Sequence, residues 1–143
     1  MAIRFFFEEI RPLRTLKRNI VKEIIRQIMT DYSFKCGNIN FIFTSDEYLI
    51  KLNRRYLNHD FYTDVITFPE YEGKKVHGDV FISYDRVCEN AEKYHVTHMV
   101  ELYRVMIHAA LHLCGMEDTT PAKKKQMTME EDRYVKIIIF ALE

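Results

Sequence analysis

The sequence predicts an α+β fold, a single mixed sheet of about four strands packed with about five helices. Two observations lead there. Apolar residues recur at helical spacing along five segments and cluster with β-branched and aromatic residues along four shorter ones, in the order β-α-β-α-β-β-α-α-α. The composition, 48% hydrophobic and 13% aromatic, is that of a chain with an ordinary core. A chain of 143 residues buries roughly two thirds of its unfolded surface. With four Gly and three Pro there is little room for long linkers, so residues 1–143 read as one domain.

Ile3 to Glu8 reads as a short aromatic strand. From Leu13 to Met29, the residues Leu13, Leu16, Ile20, Ile24 and Ile28 share one face and Arg14, Lys17, Arg18 and Lys22 lie away from it, which predicts an amphipathic helix. Gly37-Asn38 marks a turn before a strand from Ile39 to Thr44. Ser45 is placed to cap a helix to about Leu57, with Asp46 and Glu47 in its first turn. Thr63 to Phe68 is the next strand, ended by Pro69, and Tyr71 to Lys75 forms a connection into a strand from Val76 to Ile82. Ser83 caps a helix to about Tyr94. Thr97 caps a longer one to Cys114, where Gly115 provides the stop. Thr120 and Pro121 open a final helix to about Leu142.

Bulk properties exclude several classes. The net charge is zero, which speaks against coating nucleic acid through an overall field and leaves a local basic patch open. Cys36, Cys88 and Cys114 form no C-x-x-C pair and suit no disulfide framework, so they read as reduced, buried thiols. The N-terminal segment lacks the apolar stretch and cleavage site of a signal peptide, and no run approaches the roughly 18 apolar residues of a membrane span. A soluble, cytoplasmic protein without membrane contact is expected.

The chemistry concentrates in His108-Ala-Ala-Leu-His112-Leu-Cys-Gly115-Met-Glu-Asp118. Residues four apart on a helix place their Cβ atoms about 5–6 Å apart on one face, so His108 and His112 can converge on one ion. Gly115 lets the chain turn back and bring Asp118 to the same point. Three protein ligands leave open positions, the mark of a catalytic rather than a structural zinc site. The metal site is thus expected at the end of the long helix. Glu117 is the rival acidic ligand. Cys114, roughly 200° around the helix from His112, belongs with Val100, Tyr103, Ile107 and Leu111 in a core stripe. His59, His77, His95 and His98 are read as surface or supporting residues.

Metzincin-like peptidases share the frame of these ligands but carry Glu directly after the first His as general base; here that position is Ala109, which weakens a peptidase reading. The segment resembles the metal motif of the YbeY family of endoribonucleases, in which a small residue follows the first His. Leu52-Asn53, Tyr56, Asp60 and Thr63-Asp-Val-Ile-Thr-Phe-Pro69 resemble that family's L-N-x-x-Y…D…T-D-V-L-S-F-P block, and Gly78-Asp-Val-Phe-Ile-Ser83 resembles its G-D-I-x-I-S strand. The resemblance spans about residues 40 to 120. It implies a metal-dependent endoribonuclease that cuts single-stranded RNA, acting in ribosomal RNA processing at the 3′ end of the small-subunit RNA and in ribosome quality control. Its partners would be ribosomal RNA or the small ribosomal subunit. In two places the chain departs from the family pattern: Asp118 stands where the third ligand is usually His, and Leu57 where an arginine follows the tyrosine. Arg54, Arg55 or Arg104 is a candidate to replace that arginine.

One zinc per chain is expected. A carboxylate in place of an imidazole leaves the site less positive and the metal a weaker Lewis acid, which implies a higher pH optimum and greater tolerance of manganese. Arg54, Arg55 and Glu117 are the candidate catalytic residues, and Asp79 is a further candidate base or a carboxylate that orients a histidine. RNA needs a cationic surface; Lys51, Arg54, Arg55, Tyr56 and His59 interleave basic and aromatic side chains and are the first candidate, with Lys123-Lys-Lys125 the second. Tyr62, Phe68 and Tyr71 read as core or sheet packing. An assembly factor whose metal is structural and whose nuclease activity is small is the alternative from another class.

Overall fold

A computed structural model describes residues 2–143. Its strands are β1 (Ile3–Glu8), β2 (Lys35–Thr44), β3 (Val65–Glu72) and β4 (Lys75–Ser83). Its helices are α1 (Arg18–Asp31), α2 (Asp46–Leu57), α3 (Tyr84–Tyr94), α4 (His98–Leu113) and α5 (Pro121–Leu142). The strands form one mixed sheet in the order β1-β2-β4-β3. β2 runs parallel to both β1 and β4, and β3 pairs antiparallel with β4 as a hairpin. This is the α+β architecture read from the sequence.

The core lies between one face of the sheet and the helices. Ile39, Phe41 and Phe43 of β2 and Val80 and Ile82 of β4 are buried with Ile25 and Ile28 of α1 and Leu102, Met106 and Leu111 of α4. α4 is apolar around most of its circumference, as a helix enclosed by sheet and neighbours must be. The side chains of Ser45, Ser83, Thr97 and Thr120 each accept a hydrogen bond from a first-turn backbone N–H of α2, α3, α4 and α5, satisfying donors that a helix start leaves free.

Four local readings are corrected. α1 begins at Arg18, not Leu13, because a turn precedes it, with the Leu16 N–H on the Leu13 carbonyl at 3.3 Å. Leu16 is nonetheless buried, and the Lys17 N–H donates to the Tyr103 hydroxyl at 3.2 Å. Gly37 and Asn38 are strand, not turn. β2 is irregular between Cys36 and Ile39, and a Cβ at Gly37 would stand 2.5 Å from Nδ1 of His77. Pro69 sits inside β3 opposite Gly78, which an edge strand tolerates because no second neighbour asks for its missing N–H. Tyr71 and Glu72 continue the strand, leaving Gly73 at φ +59° to turn the hairpin.

The side chains of Tyr62 and Tyr71 are exposed rather than packed in a core. Tyr62 lies under the Arg86 guanidinium, 5.1 Å from its ring centre, and the Tyr71 hydroxyl donates to the Leu113 carbonyl at 2.8 Å. Phe68 does pack, edge-on to Phe81 at 5.8 Å. Of the three free cysteines only Cys114 is buried. Its Sγ is 3.4 Å from Met29 Sδ, and burial pushes the thiol up to about 12, so it stays protonated and belongs to the core.

Candidate metal centre

α4 carries His108 and His112 one turn apart. The helix closes beyond Leu113 with Gly115 at φ +89°, a left-handed conformation that glycine adopts without strain. The Gly115 N–H donates to the His112 carbonyl at 2.9 Å and the Met116 N–H to the Leu111 carbonyl at 3.0 Å. This closure turns the chain back and returns Asp118 to the histidines.

His108 Nε2 lies 3.7 Å from Asp118 Oδ2, and His112 Nε2 lies 3.7 Å from Asp118 Oδ1. One ligand atom from each residue falls within 4.8 Å of the others, and no other group of His, Cys, Asp and Glu among the described residues meets that criterion. The imidazoles stand nearly perpendicular, 82° apart, with ring centres at 4.5 Å. Two imidazole nitrogens and a carboxylate oxygen, all partly open to solvent, form a donor set that fits a divalent cation.

The sequence reading missed the residue that orients His108. Glu131, on α5, is 8% exposed and accepts a 2.5 Å hydrogen bond from His108 Nδ1. A carboxylate can only accept, so the proton sits on Nδ1 and Nε2 is left to face Asp118. Arg104, one turn before His108, donates to Glu131 at 3.3 Å and pairs with Asp132 at 2.8 Å. A signal for Glu131 did exist: it shares the helical face of Met127, Tyr134, Val135 and Ile138, all buried. A charge at a core position of a helix needs a partner.

Burial alone disfavours the charged form of His108, but the bond to Glu131 and the charges of Glu131, Asp118 and Asp64 outweigh it and hold the ring above the ordinary histidine range. His112 is shifted down, by burial and then by the neighbouring His108. Burial raises the Asp64 carboxyl, an effect that His108 only partly offsets. Burial likewise raises Glu101, to about 7. Asp64 and Glu101 line, with His108 and Asp118, a cleft of about 700 Å³ that runs along α4 and α5.

The remaining candidates fall elsewhere. The Glu117 carboxylate pairs with Lys123 at 2.8 Å and lies outside the histidine–aspartate group. Asp79 accepts from Asn40 Nδ2 at 3.0 Å, in a separate groove on the sheet, so it orients neither His108 nor His112. Lys51, Arg54, Arg55, Tyr56 and His59 gather at the end of α2 and the loop beyond, all exposed. There Arg54 is bonded to Asp60, the Arg55 guanidinium lies 5.3 Å from the Tyr56 ring centre, and His59 stacks on Phe61 at 5.0 Å. Among the candidate arginines, Arg104 alone lines the cleft.

A model of the family described as Endoribonuclease YbeY matches residues 8–138. An Endoribonuclease YbeY of Parabacteroides distasonis is 44% identical over 138 residues, covering 96% of both chains. One of Cytophaga hutchinsonii is 43% identical over 129 residues, covering 90% of both. The solution structure of TM1509 from Thermotoga maritima superposes with a TM-score of 0.65 at 28% identity, covering 94% of this chain and 88% of that one.

Proposed function

The chain belongs to the family described as Endoribonuclease YbeY, and on that premise we propose that it is a metal-dependent endoribonuclease cutting single-stranded RNA. The observation that carries this reading is the convergence of His108, His112 and Asp118 at one end of an open cleft, with Glu131 fixing the His108 ring. A divalent cation held there would supply Lewis acidity to a phosphodiester and stabilise the charge that develops on it. The proposed ion is zinc, one per chain, with manganese tolerated because Asp118 contributes an oxygen donor.

The protein's own groups divide the remaining work. Glu131 and Arg104 hold the His108 imidazole in one tautomer and orientation. Lys51, Arg54 and Arg55, with Tyr56 and His59, would draw in the strand by charge and stacking. The proposed setting is ribosomal RNA processing in the cytoplasm, at the small-subunit 3′ end and in ribosome quality control; no helix among the described residues is long and apolar enough to cross a membrane.

An assembly factor with a structural metal is the second reading, favoured by Leu57 in the place of the family's arginine and by the engagement of Arg54 with Asp60. The peptidase reading is set aside, since Ala109 is fully buried and offers no base. The test compares purified wild type with His112→Ala, by elemental analysis and by incubation with single-stranded ribosomal RNA with and without chelator. The expected result is one divalent metal per wild-type chain, lost in the variant together with cleavage. Cleavage surviving full metal removal would overturn the reading, and binding without cleavage would favour the assembly factor.

A further inference from the structure

The cleft continues well past the histidines. Seven residues before His108 on α4, two turns or roughly 10 Å along the axis, Glu101 is only 5% exposed yet lines this cleft. Its carboxyl takes part in no hydrogen bond or ion pair among the described residues: Arg104, whose charge acts on it, is committed to Glu131 and Asp132. Its oxygens are not sealed in the core but open onto the cleft, so the carboxyl is placed for a ligand that brings its own donors. A second cation is a poor candidate, because Glu101 belongs to no group of ligand atoms close enough to hold one.

The walls narrow the class further. Val96, Val105 and Met127 give the cleft apolar sides, and Tyr94, 57% exposed, stands among the lining residues, with Lys93 Nζ 5.7 Å from its ring centre. Five carboxylates line the cleft: Asp118 faces His108, Glu131 and Asp132 pair with Arg104, and Asp64 accepts from backbone N–H groups, which leaves Glu101 without a partner. Apolar sides, an aromatic ring and that one free acceptor-only group suit a nucleobase held on its Watson–Crick edge. An ionised carboxylate offers two acceptors and no donor. Guanine alone among the four RNA bases presents two adjacent N–H donors there, N1–H and N2–H, whereas adenine and cytosine each pair a donor with an acceptor. We propose that the cleft beside His108 and Asp118 is a guanine subsite, with Glu101 accepting from N1–H and N2–H of a nucleotide near the scissile phosphate. The ligand class rests on the ribonuclease reading; the subsite itself rests on the cleft.

The experiment is an NMR titration of the purified full-length protein at pH 8, where Glu101, raised to about 7, is ionised, with guanosine, adenosine, cytidine and uridine, with and without chelator. Nucleosides carry no phosphate, so the metal centre does not dominate their binding. Guanosine is expected to bind at least about tenfold more tightly than the others, the discrimination of one good bidentate pair. Glu101→Gln supplies one acceptor and one donor, and should move the preference from guanosine to adenosine and cytidine. Tyr94→Ala, at an exposed position that folding does not need, should weaken guanosine binding severalfold. Equal binding of all four nucleosides, or a guanosine preference untouched by both variants, would sink the subsite. A guanosine preference in a protein that cuts no RNA would keep the subsite and discard the nuclease.

Discussion

Glu131 on α5 accepts a 2.5 Å hydrogen bond from Nδ1 of His108 on α4, so one helix sets the ring orientation of a proposed metal ligand on another. Removing such a partner typically costs 10–100-fold in metal affinity, by roughly the estimate for a carboxylate behind a ligating imidazole. Glu131→Gln should therefore weaken zinc binding by about tenfold or more, read by competition with a chromogenic chelator. Because Gln keeps the shape and can still accept from His108, Glu131→Ala should cost more. Equal zinc affinity in all three proteins would reduce Glu131 to a structural anchor for Arg104.

In the proposed metal centre, Asp118 sets the charge. With two imidazoles and a carboxylate the site is less positive than with three imidazoles, and a cation there is a weaker Lewis acid. Asp118→His should shift the pH–rate profile for RNA cleavage toward acid while metal is retained. A variant that keeps its metal with an unmoved profile would contradict the electrostatic account.

What the sequence revealed and what it concealed follow the range of each interaction. His108 and His112 were legible because helical spacing alone brings them together, and Gly115 announced the turn that returns Asp118. Glu131 lies 23 residues from His108 in the chain, and its role depends on how α5 crosses α4, which no local pattern encodes. Pro69 was misread for a similar reason: whether a strand tolerates proline depends on its being at the edge, a property of sheet order. Leu13 and Leu16 sit at helical spacing but are joined by a turn, since two apolar contacts at that spacing are compatible with either.

The basic patch can be tested through salt. Each phosphate contact on a single strand contributes about 0.7 to the slope of log affinity against log salt. Arg55 makes no ion pair among the described residues, whereas Arg54 is engaged by Asp60. Lys51→Ala and Arg55→Ala should each flatten the slope by about that amount in a fluorescence-anisotropy assay on labelled single-stranded RNA, and Arg54→Ala by less. An unchanged slope in both of the first two variants would remove α2 from the RNA-binding surface.

Glu101 makes a prediction about stability that needs no substrate. Burial raises its carboxyl from 4.5 to about 7 in the fold. Between those values the native chain holds a proton that the unfolded chain has released. The contribution is therefore fully present below pH 4.5 and is lost as pH rises through about 7. Above that, the native state carries a buried, ionised carboxylate at a cost of at most about 3 kcal/mol by linkage. Glu101→Gln has no such titration, so relative to wild type it should be more stable at pH 8, and the difference should shrink toward pH 5. Urea denaturation of the metal-free proteins at the two pH values measures this directly. A wild-type-minus-variant difference that stays flat from pH 5 to 8 would mean that the carboxyl is satisfied in the fold, and it would remove the unpartnered acceptor on which guanine recognition depends.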